Sequence, residues 1–386
     1  MDCNERRCRA AIIGHTGRGN YGHGLDTCFS GLPQVEVVAV ADPDPAGRKA
    51  AQERSGAVTS YADYREMLDR ERPDMVAISP RLVDERIAMI TAAVEAGCHL
   101  YVEKPLVATL TDADAVLTLC DEAGVRIAVA HQNRLHPAAL QLQQLLADGR
   151  IGRLRQVRGY GKMDHRGGGQ DLAVLGTHIL DLMRLFAGDA RWCSADLLVG
   201  SRLADTDDVR VGDEGVGPVL GDGVRATYGF DDGVIGSFES YRGLGDGDTV
   251  FGVDVVGEQG QLAYRGGFTK RLFSYPHPYP EPGSATDRWE QVPVPTAGPH
   301  EQFGDEPSDA EGHTVLLQRA NQRLVLDLIA AIGEGREPAS SGQRARAALE
   351  LIQAVAAAHA ADGRVTLPLA SRTHPYVASD VAVATL

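Results

Sequence analysis

Between Arg9 and about Ala130, short apolar runs alternate with stretches of helical periodicity. AAIIG from Ala10, VEVVAVAD from Val35, DMVAIS from Asp74, HLYVEKP from His99 and VRIAVAH from Val125 are bounded by turn residues. That is the pattern of strands buried on both faces of a parallel sheet. Ile87, Ile90, Thr91 and Val94 follow i, i+3, i+4, i+7 spacing before Gly97, which predicts a helix with that stripe inward. Thr111 is the expected cap of a second helix, with Ala113, Val116, Leu117 and Cys120 on one face and Gly124 as its stop. Strand, helix, strand in repetition predicts right-handed crossovers and a doubly wound parallel sheet.

After roughly Ile151, alternating strands follow one another with few helices between them. Val224, Ala226, Tyr228 and Phe230 alternate, Asp231-Asp232-Gly233 reads as a tight turn, and Val234 to Tyr241 runs back. Phe251, Val253 and Val255 alternate into the turn Gly257-Glu258-Gln259-Gly260. A broad, open, mainly antiparallel sheet with one face covered is expected, with one helical segment, Thr177 to Phe186, at its start. Ser201–Gly223, rich in Gly and Asp, and Tyr275–Asp309, which holds eight prolines that cannot donate to a ladder, are expected to be surface loops. Two further apolar stripes, Leu324, Val325, Leu328, Ile329, Ile332 and Ala345, Ala348, Leu349, Ile352, Val355, predict terminal helices that pack on a sheet.

Composition narrows what such a chain can do. Its 386 residues suit two domains. Thirty-eight basic against 53 acidic residues leave a net charge of −15, which repels a phosphate backbone or an anionic membrane. Hydrophobic residues at 43% and charged residues at 24% are ordinary for a globular protein. Cys3, Cys8, Cys28, Cys98, Cys120 and Cys193 form no C-x-x-C pair, so neither a disulfide framework nor a zinc site is expected. No metal site is expected from His15, His23, His131, His136, His165 and His178 either, since they lack close ligand pairs, or from the acidic loop Asp205–Glu214, which lacks the alternation of a calcium loop. The first ten residues have no apolar leader, and no stretch reaches the roughly 18 apolar residues of a spanning helix. A soluble protein of a reducing cytoplasm is expected, with no nucleic-acid or membrane partner.

Three stretches carry candidate chemistry. After the first strand, Gly17-x-Gly19-x-x-Gly22 has dinucleotide spacing, which lets backbone approach a pyrophosphate held at a helix N-terminus. The cluster begins earlier, at Gly14, so the phosphate contacts stay open among Gly14, Gly17 and Gly19, and His15, Thr16 and Arg18 face either ligand or solvent. The second strand ends in Asp42, placed to accept from adenosine ribose hydroxyls and to repel the extra phosphate of NADP; Pro43, Asp44 and Pro45 offer that phosphate no clamp. NAD is therefore favoured over NADP. At the end of the strand from His99 stands Glu103-Lys104-Pro105, where ligands of open α/β sheets collect and where Pro105 restricts the Lys104 backbone. The third stretch is Gly167 to Asp181, with His178 early in an apolar helix among nearby acids.

These motifs together resemble the glucose-fructose oxidoreductase, inositol dehydrogenase and rhizopine-catabolism (Gfo/Idh/MocA) family of NAD(P)-dependent oxidoreductases. The carriers are the glycine loop with Asp42, Ala96-Gly97-Cys98-His99 leading to Glu103-Lys104-Pro105, Gly176-Thr177-His178-Ile179-Leu180-Asp181, and the turn Gly257 to Leu262. The resemblance implies an α/β architecture: an N-terminal Rossmann domain, 1–134, binding NAD, and a C-terminal α/β domain, 135–386, with a large open sheet for substrate and oligomer contacts. The C-terminal helices have the option of packing back toward the first domain. It implies Lys104 as the active-site lysine and His178 as the acid/base. An aspartate commonly stands four residues before that histidine, but here the position is Val174, which leaves Asp171 or Asp181 to support the imidazole. Ser79-Pro80-Arg81 and Arg86 also depart from the Asn and His of many relatives, and His131-Gln132-Asn133-Arg134 matches only loosely.

The candidate catalytic residues are therefore Lys104, His178 and Asp171; the candidate cofactor contacts are Gly14, Thr16, Gly17, Arg18, Gly19, Asp42, Ser79 and Glu103; and the candidate substrate contacts are Lys104, Arg134, Asp164 and His178. The expected reaction is hydride transfer between NAD and a secondary hydroxyl of a sugar, glycoside or cyclitol, in a homodimer or homotetramer. Two alternatives are a glycosidase of the same fold that uses bound NAD transiently, and a catalytically silent NAD- and sugar-binding protein.

Overall fold

A computed structural model of the chain describes residues 7–245, 250–267, 271–294 and 313–377. It divides into two compact units, Met1–Leu135 with Glu306–Arg346, and His136–Asp305 with Ala347–Leu386.

In the first unit six strands, β1 (Cys8–Ile13), β2 (Val35–Ala41), β3 (Thr59–Tyr61), β4 (Met75–Ile78), β5 (His99–Val102) and β6 (Ile127–Val129), form one sheet in the order β3-β2-β1-β4-β5-β6. Every pairing is parallel. The apolar runs end up here because both faces are covered: all four residues of β4 are buried, as are the last three of β5. The order reverses beside β1, so the loops after β1 and β4 flank the point where doubly wound sheets take ligands. The connecting helices are α1 (Pro45–Ser55), α2 (Tyr64–Glu71), α3 (Arg86–Glu95) and α4 (Leu110–Ala123). The carboxylate of Asp44 accepts from Gly47 N at 2.6 Å to cap α1, with Pro45 in the first turn.

Two details correct the sequence expectations. Thr109, not Thr111, caps α4: its hydroxyl accepts from Asp112 N at 3.0 Å, while Thr111 is exposed inside the helix. In α3 the buried face is Arg86, Met89, Ile90, Ala93 and Val94, and Ile87 is exposed. The apolar stripe is rotated by about a residue because a charged side chain, Arg86, occupies an inward position.

The second unit opens with three helices rather than one, α5 (Pro137–Ala147), α6 (Gly169–Val174) and α7 (Gly176–Ala187), with the strand β7 (Leu154–Tyr160) between the first two. The remaining strands are β8 (Trp192–Val199), β9 (Arg202–Leu203), β10 (Arg210–Val211), β11 (Pro218–Val219), β12 (Gly223–Gly229), β13 (Ile235–Tyr241), β14 (Gly252–Gly257), β15 (Gln261–Arg265), β16 (Arg271–Tyr275), β17 (Glu290–Val292) and β18 (Val365–Thr366). A large sheet runs β17-β16-β15-β14-β7-β13-β12-β8-β18, with β9 attached to β8. It is antiparallel except at its centre, where β7 and β13 are parallel. Asp231–Gly233 turns β12 into β13 as expected. Helix α7 lies against β7, and Gly159 makes this possible: a Cβ there would stand 2.5 Å from Ile179 and 2.7 Å from Met183 Sδ.

Ser201–Gly223 is more ordered than a loop of its composition suggests. The short β10–β11 pair forms there, and Asp205 and Asp208 cap a helical turn reciprocally. Of the proline-rich stretch, Pro295 to Asp309 lies outside the described residues.

Near the C-terminus come α8 (His313–Glu334) and α9 (Gly342–Ala360). α8 belongs to the first unit, where it meets β6 and buries Leu324, Val325 and Leu328. Cys8, Cys28, Cys98, Cys120 and Cys193 are buried free thiols, and Cys3 lies outside the described residues. Among the described residues no helix is long and apolar enough to cross a membrane.

Candidate active site

The glycine loop after β1 is held by its own backbone and by the β2 acid. Gly14 N donates to Ala41 O at 2.9 Å, and Gly22 N to Ser79 O at 2.8 Å. Gly17 and Gly19 have φ of +84° and +87°, a region L side chains avoid. A Cβ on Gly19 would also stand 2.6 Å from the backbone nitrogens of Arg81 and Leu82, whereas Gly17 faces open space. Gly14 has a different duty, since a Cβ there would overlap the Tyr21 ring at 2.1 Å. The helix expected after the loop is a 3-10 stretch, Gly22–Thr27, in which His23 and Gly24 have left-handed backbone. Asn20 and His23, with positive φ, and the glycines disfavour an α-helix directly after the loop.

Asp42 is buried at 1% exposure, and its carboxylate accepts from Thr16 N and Oγ1 (3.1 and 2.8 Å) and from Asp44 N (2.9 Å). The acid thereby ties the end of β2 to the loop. Beyond Pro45, Arg48 reaches back to donate to the Asp42 carbonyl at 2.6 Å, a basic neighbour that the three residues after Asp42 do not reveal. Arg18 pairs with Asp84 and Glu85, and His15 Nδ1 lies 3.1 Å from Glu85, so the loop is also strapped to the segment after β4.

At the end of β5, Glu103 and Lys104 are both fully buried, and the Lys104–Pro105 peptide is cis. His23 Nδ1 stands 2.6 Å from Glu103 Oε1. Burial alone would raise the Glu103 carboxyl; the His23 ring, helped by Lys104 and Arg86, outweighs it and holds the group below the ordinary carboxylate range. Asn321 of α8 completes this corner: its Oδ1 accepts from Tyr101 OH (2.8 Å) and Gln132 (3.0 Å), and its Nδ2 donates to His23 O (2.8 Å). Arg134 is buried in the same unit, in the turn Gln132–Leu135.

These residues fit a dinucleotide. Open space lies over Gly17, and Ser79 Oγ and Glu103 Oε2 are buried with no hydrogen-bond partner among the described residues. At the ends of β4 and β5, the Ser79 hydroxyl can donate or accept and the Glu103 carboxylate oxygen can accept, so a ligand hydroxyl or amide can satisfy both.

In the second unit His178 occupies the first turn of α7 at 6% exposure, and Asp181, one turn along, is buried at 1%. Asp171 sits on α6, fully buried, with its hydrogen bonds directed to the sheet: Ser240 Oγ donates at 2.5 Å and Met163 N at 3.4 Å. Its Oδ1 has no partner among the described residues. Burial raises its carboxyl above the ordinary value, against the lowering effect of Ser240. Asp164 contrasts with it. The Arg166 guanidinium, at 2.5 Å, pulls that carboxyl down to about 2.

The first unit thus gathers the glycine loop, Asp42, Ser79, Glu103 and Lys104 around the ends of β1, β2, β4 and β5. The second gathers Asp164 and Asp171 near Arg166, with His178 on the following helix. His23 and Asn321 are neighbours of this corner that the sequence reading did not place there, and Arg86, which it named only as a departure from the pattern of relatives, is buried against the same turn.

Residues 8–131 match a family described as an oxidoreductase family with an NAD-binding Rossmann fold, GFO_IDH_MocA. The D-apiose dehydrogenase of Paraburkholderia graminis is 30% identical over 52% of this chain and 56% of its own length. The levoglucosan dehydrogenase of Pseudarthrobacter phenanthrenivorans is 26% identical over 60% of this chain and 65% of its own. The chain therefore matches less than two thirds of the length of either relative. Two solved structures share the fold at a TM-score of 0.72: an oxidoreductase domain protein from Kribbella flavida, at 23% identity over 94% of this chain and 100% of that one, and a levoglucosan dehydrogenase in complex with NADH and levoglucosan, at 21% identity with the same coverage. With the glycine loop and the Glu103-Lys104-Pro105 turn, these likenesses identify residues 8–131 as the NAD-binding Rossmann domain of the GFO_IDH_MocA oxidoreductase family, within a chain that shares the fold of the solved structures.

Proposed function

We propose that this protein is an NAD-dependent dehydrogenase that oxidises a secondary hydroxyl of a sugar, glycoside or cyclitol. What supports the reading most is the fully buried Glu103-Lys104-Pro105 turn at the ligand-binding end of the first sheet, beside a loop that fits a dinucleotide. Relatives that act on apiose and levoglucosan supply the substrate class. Asp42 favours NAD over NADP, since a 2′-phosphate would approach a carboxylate.

The cofactor, when bound, accepts the hydride. His178 takes the hydroxyl proton, as a neutral imidazole can at physiological pH. Lys104 stabilises the alkoxide charge as it develops, from a backbone position that needs no reorganisation. Asp171 supports the base, and Arg134 and Asp164 contact the sugar. Assembly as a homodimer or homotetramer belongs to the same reading and is checked by light scattering.

The test is NADH absorbance with NAD or NADP and a panel of levoglucosan, D-apiose, D-xylose and myo-inositol glycosides. Net NADH with at least one member is expected, and Lys104→Ala should lower kcat by about 100-fold or more, as removal of a charge-stabilising donor does. Sugar release without net NADH would replace this reading by a glycosidase, and no turnover across the panel by a binding protein.

A further inference from the structure

Arg86 is the largest fully buried side chain among the described residues, at 0% exposure, and it stands at the first residue of α3. Its two terminal nitrogens reach backbone carbonyls. Nη1 donates to the carbonyls of Glu103, Pro105 (2.9 Å) and Leu106 (3.5 Å), and Nη2 donates to that of Pro80. One planar group therefore joins the loops that follow β4 and β5, neighbours in the sheet, and holds the carbonyls on both sides of Lys104.

A buried cation is expensive, and a well-packed apolar side chain would serve stability as well or better. What an apolar side chain cannot do is satisfy carbonyls from two loops at once. The rigid fork of an arginine can, and a lysine, with one ammonium, cannot match its geometry. Glu103 adds a second tie, because its carboxylate is held ionised by His23, Lys104 and Arg86 together.

We infer that Arg86 is a positioning residue that sets the backbone of the Glu103-Lys104-Pro105 turn and so aims the Lys104 ammonium; the inference rests on the role given to Lys104 above. It contacts neither cofactor nor sugar in this account and acts only through the turn.

The chain has four lysines, Lys49, Lys104, Lys162 and Lys270, so protein labelled with 13C at the lysine ε-carbon gives four NMR signals, and the Lys104 signal is the one lost in Lys104→Arg. Arg86→Ala should displace that signal and leave the other three in place, and methylguanidinium should return it; Arg86→Lys should displace it too while adding a fifth signal of its own, told apart as the one that persists when Arg86→Lys is combined with Lys104→Arg. On whichever sugar the native enzyme oxidises, kcat should fall by about 100-fold, the effect of a small misplacement at the reacting centre. NADH affinity, read by fluorescence titration, should stay within about threefold. A Lys104 signal that stays in place in a folded Arg86 variant overturns the inference, as does a kcat that falls only in step with NADH affinity. If Arg86→Ala does not fold, Arg86→Lys decides by the same measurements. Full turnover in Lys104→Ala would instead remove the role of Lys104 and leave the NMR result to judge Arg86 by itself.

Discussion

Glu103 in the first unit and Asp171 in the second are both carboxylates at 0% exposure, yet their surroundings push them in opposite directions. Glu103 has basic partners: the His23 ring at 2.6 Å, with the Lys104 and Arg86 cations nearby. Asp171 accepts from a serine hydroxyl and backbone N–H groups, which do not offset the loss of water, and the Asp164 carboxylate adds a like charge. Burial alone therefore says nothing about the charge of a buried acid; the sign of its partners does. A carboxylate kept ionised can anchor a cationic turn, while one without a cation at hydrogen-bond distance is biased toward holding its proton.

The largest break in this contrast should come from Glu103→Gln. Removing the anion leaves Arg86 and Lys104 buried together without their counter-charge, and such losses cost about 3–5 kcal/mol, measurable by urea unfolding at neutral pH. Native stability from Glu103 should be present above the ordinary glutamate range and lost as pH falls through the depressed folded value, a window that the glutamine variant lacks. An unchanged urea midpoint would mean that the cations are balanced elsewhere.

A smaller loss is expected from Gly161→Ala, because the new Cβ would lie 2.1 Å from Asp171 Oδ2 and 2.8 Å from Ser240. Overpacking of this kind costs about 1–3 kcal/mol and should also move the Asp171 carboxyl signal in 13C NMR. If the unfolding midpoint is lowered but the Asp171 signal is untouched, the glycine serves the strand and not the acid.

The gentlest probe is Asp171→Asn, which should leave stability almost unaltered in acid and change only its slope with pH. A raised folded value means that the wild-type contribution is complete below the ordinary aspartate value, about 3.9, and is lost as pH rises to the raised one. The asparagine variant should stay flat over that interval, and equal slopes in the two proteins would show that Asp171 is ionised like an exposed acid.

How far the sequence reached differs between the same two regions. The Lys104 turn was legible because a strand, a turn and a proline are local signals, and the glycine spacing is local too. Arg86 was hidden, since a periodicity read from apolar residues alone skips a charged residue that points inward. Asn321 was out of reach, because it joins Tyr101 across a separation of 220 residues and nothing near it announces a partner. For Asp171 neither the short helix that carries it nor its environment was legible: Ser240 lies 69 residues away, on β13.

By itself, then, the order of residues determined the strands, the parallel sheet of the first unit, the alternating sheet of the second, and the places where backbone must come close or turn left-handed. Those follow from periodicity and side-chain shape, which act over a few residues. Only the tertiary structure decided which helix end caps which carbonyls, where the glycine loop leads, and whether a buried acid keeps its charge. Such outcomes depend on electrostatic and hydrogen-bonding partners brought together across tens to hundreds of residues, and no local pattern carries that information.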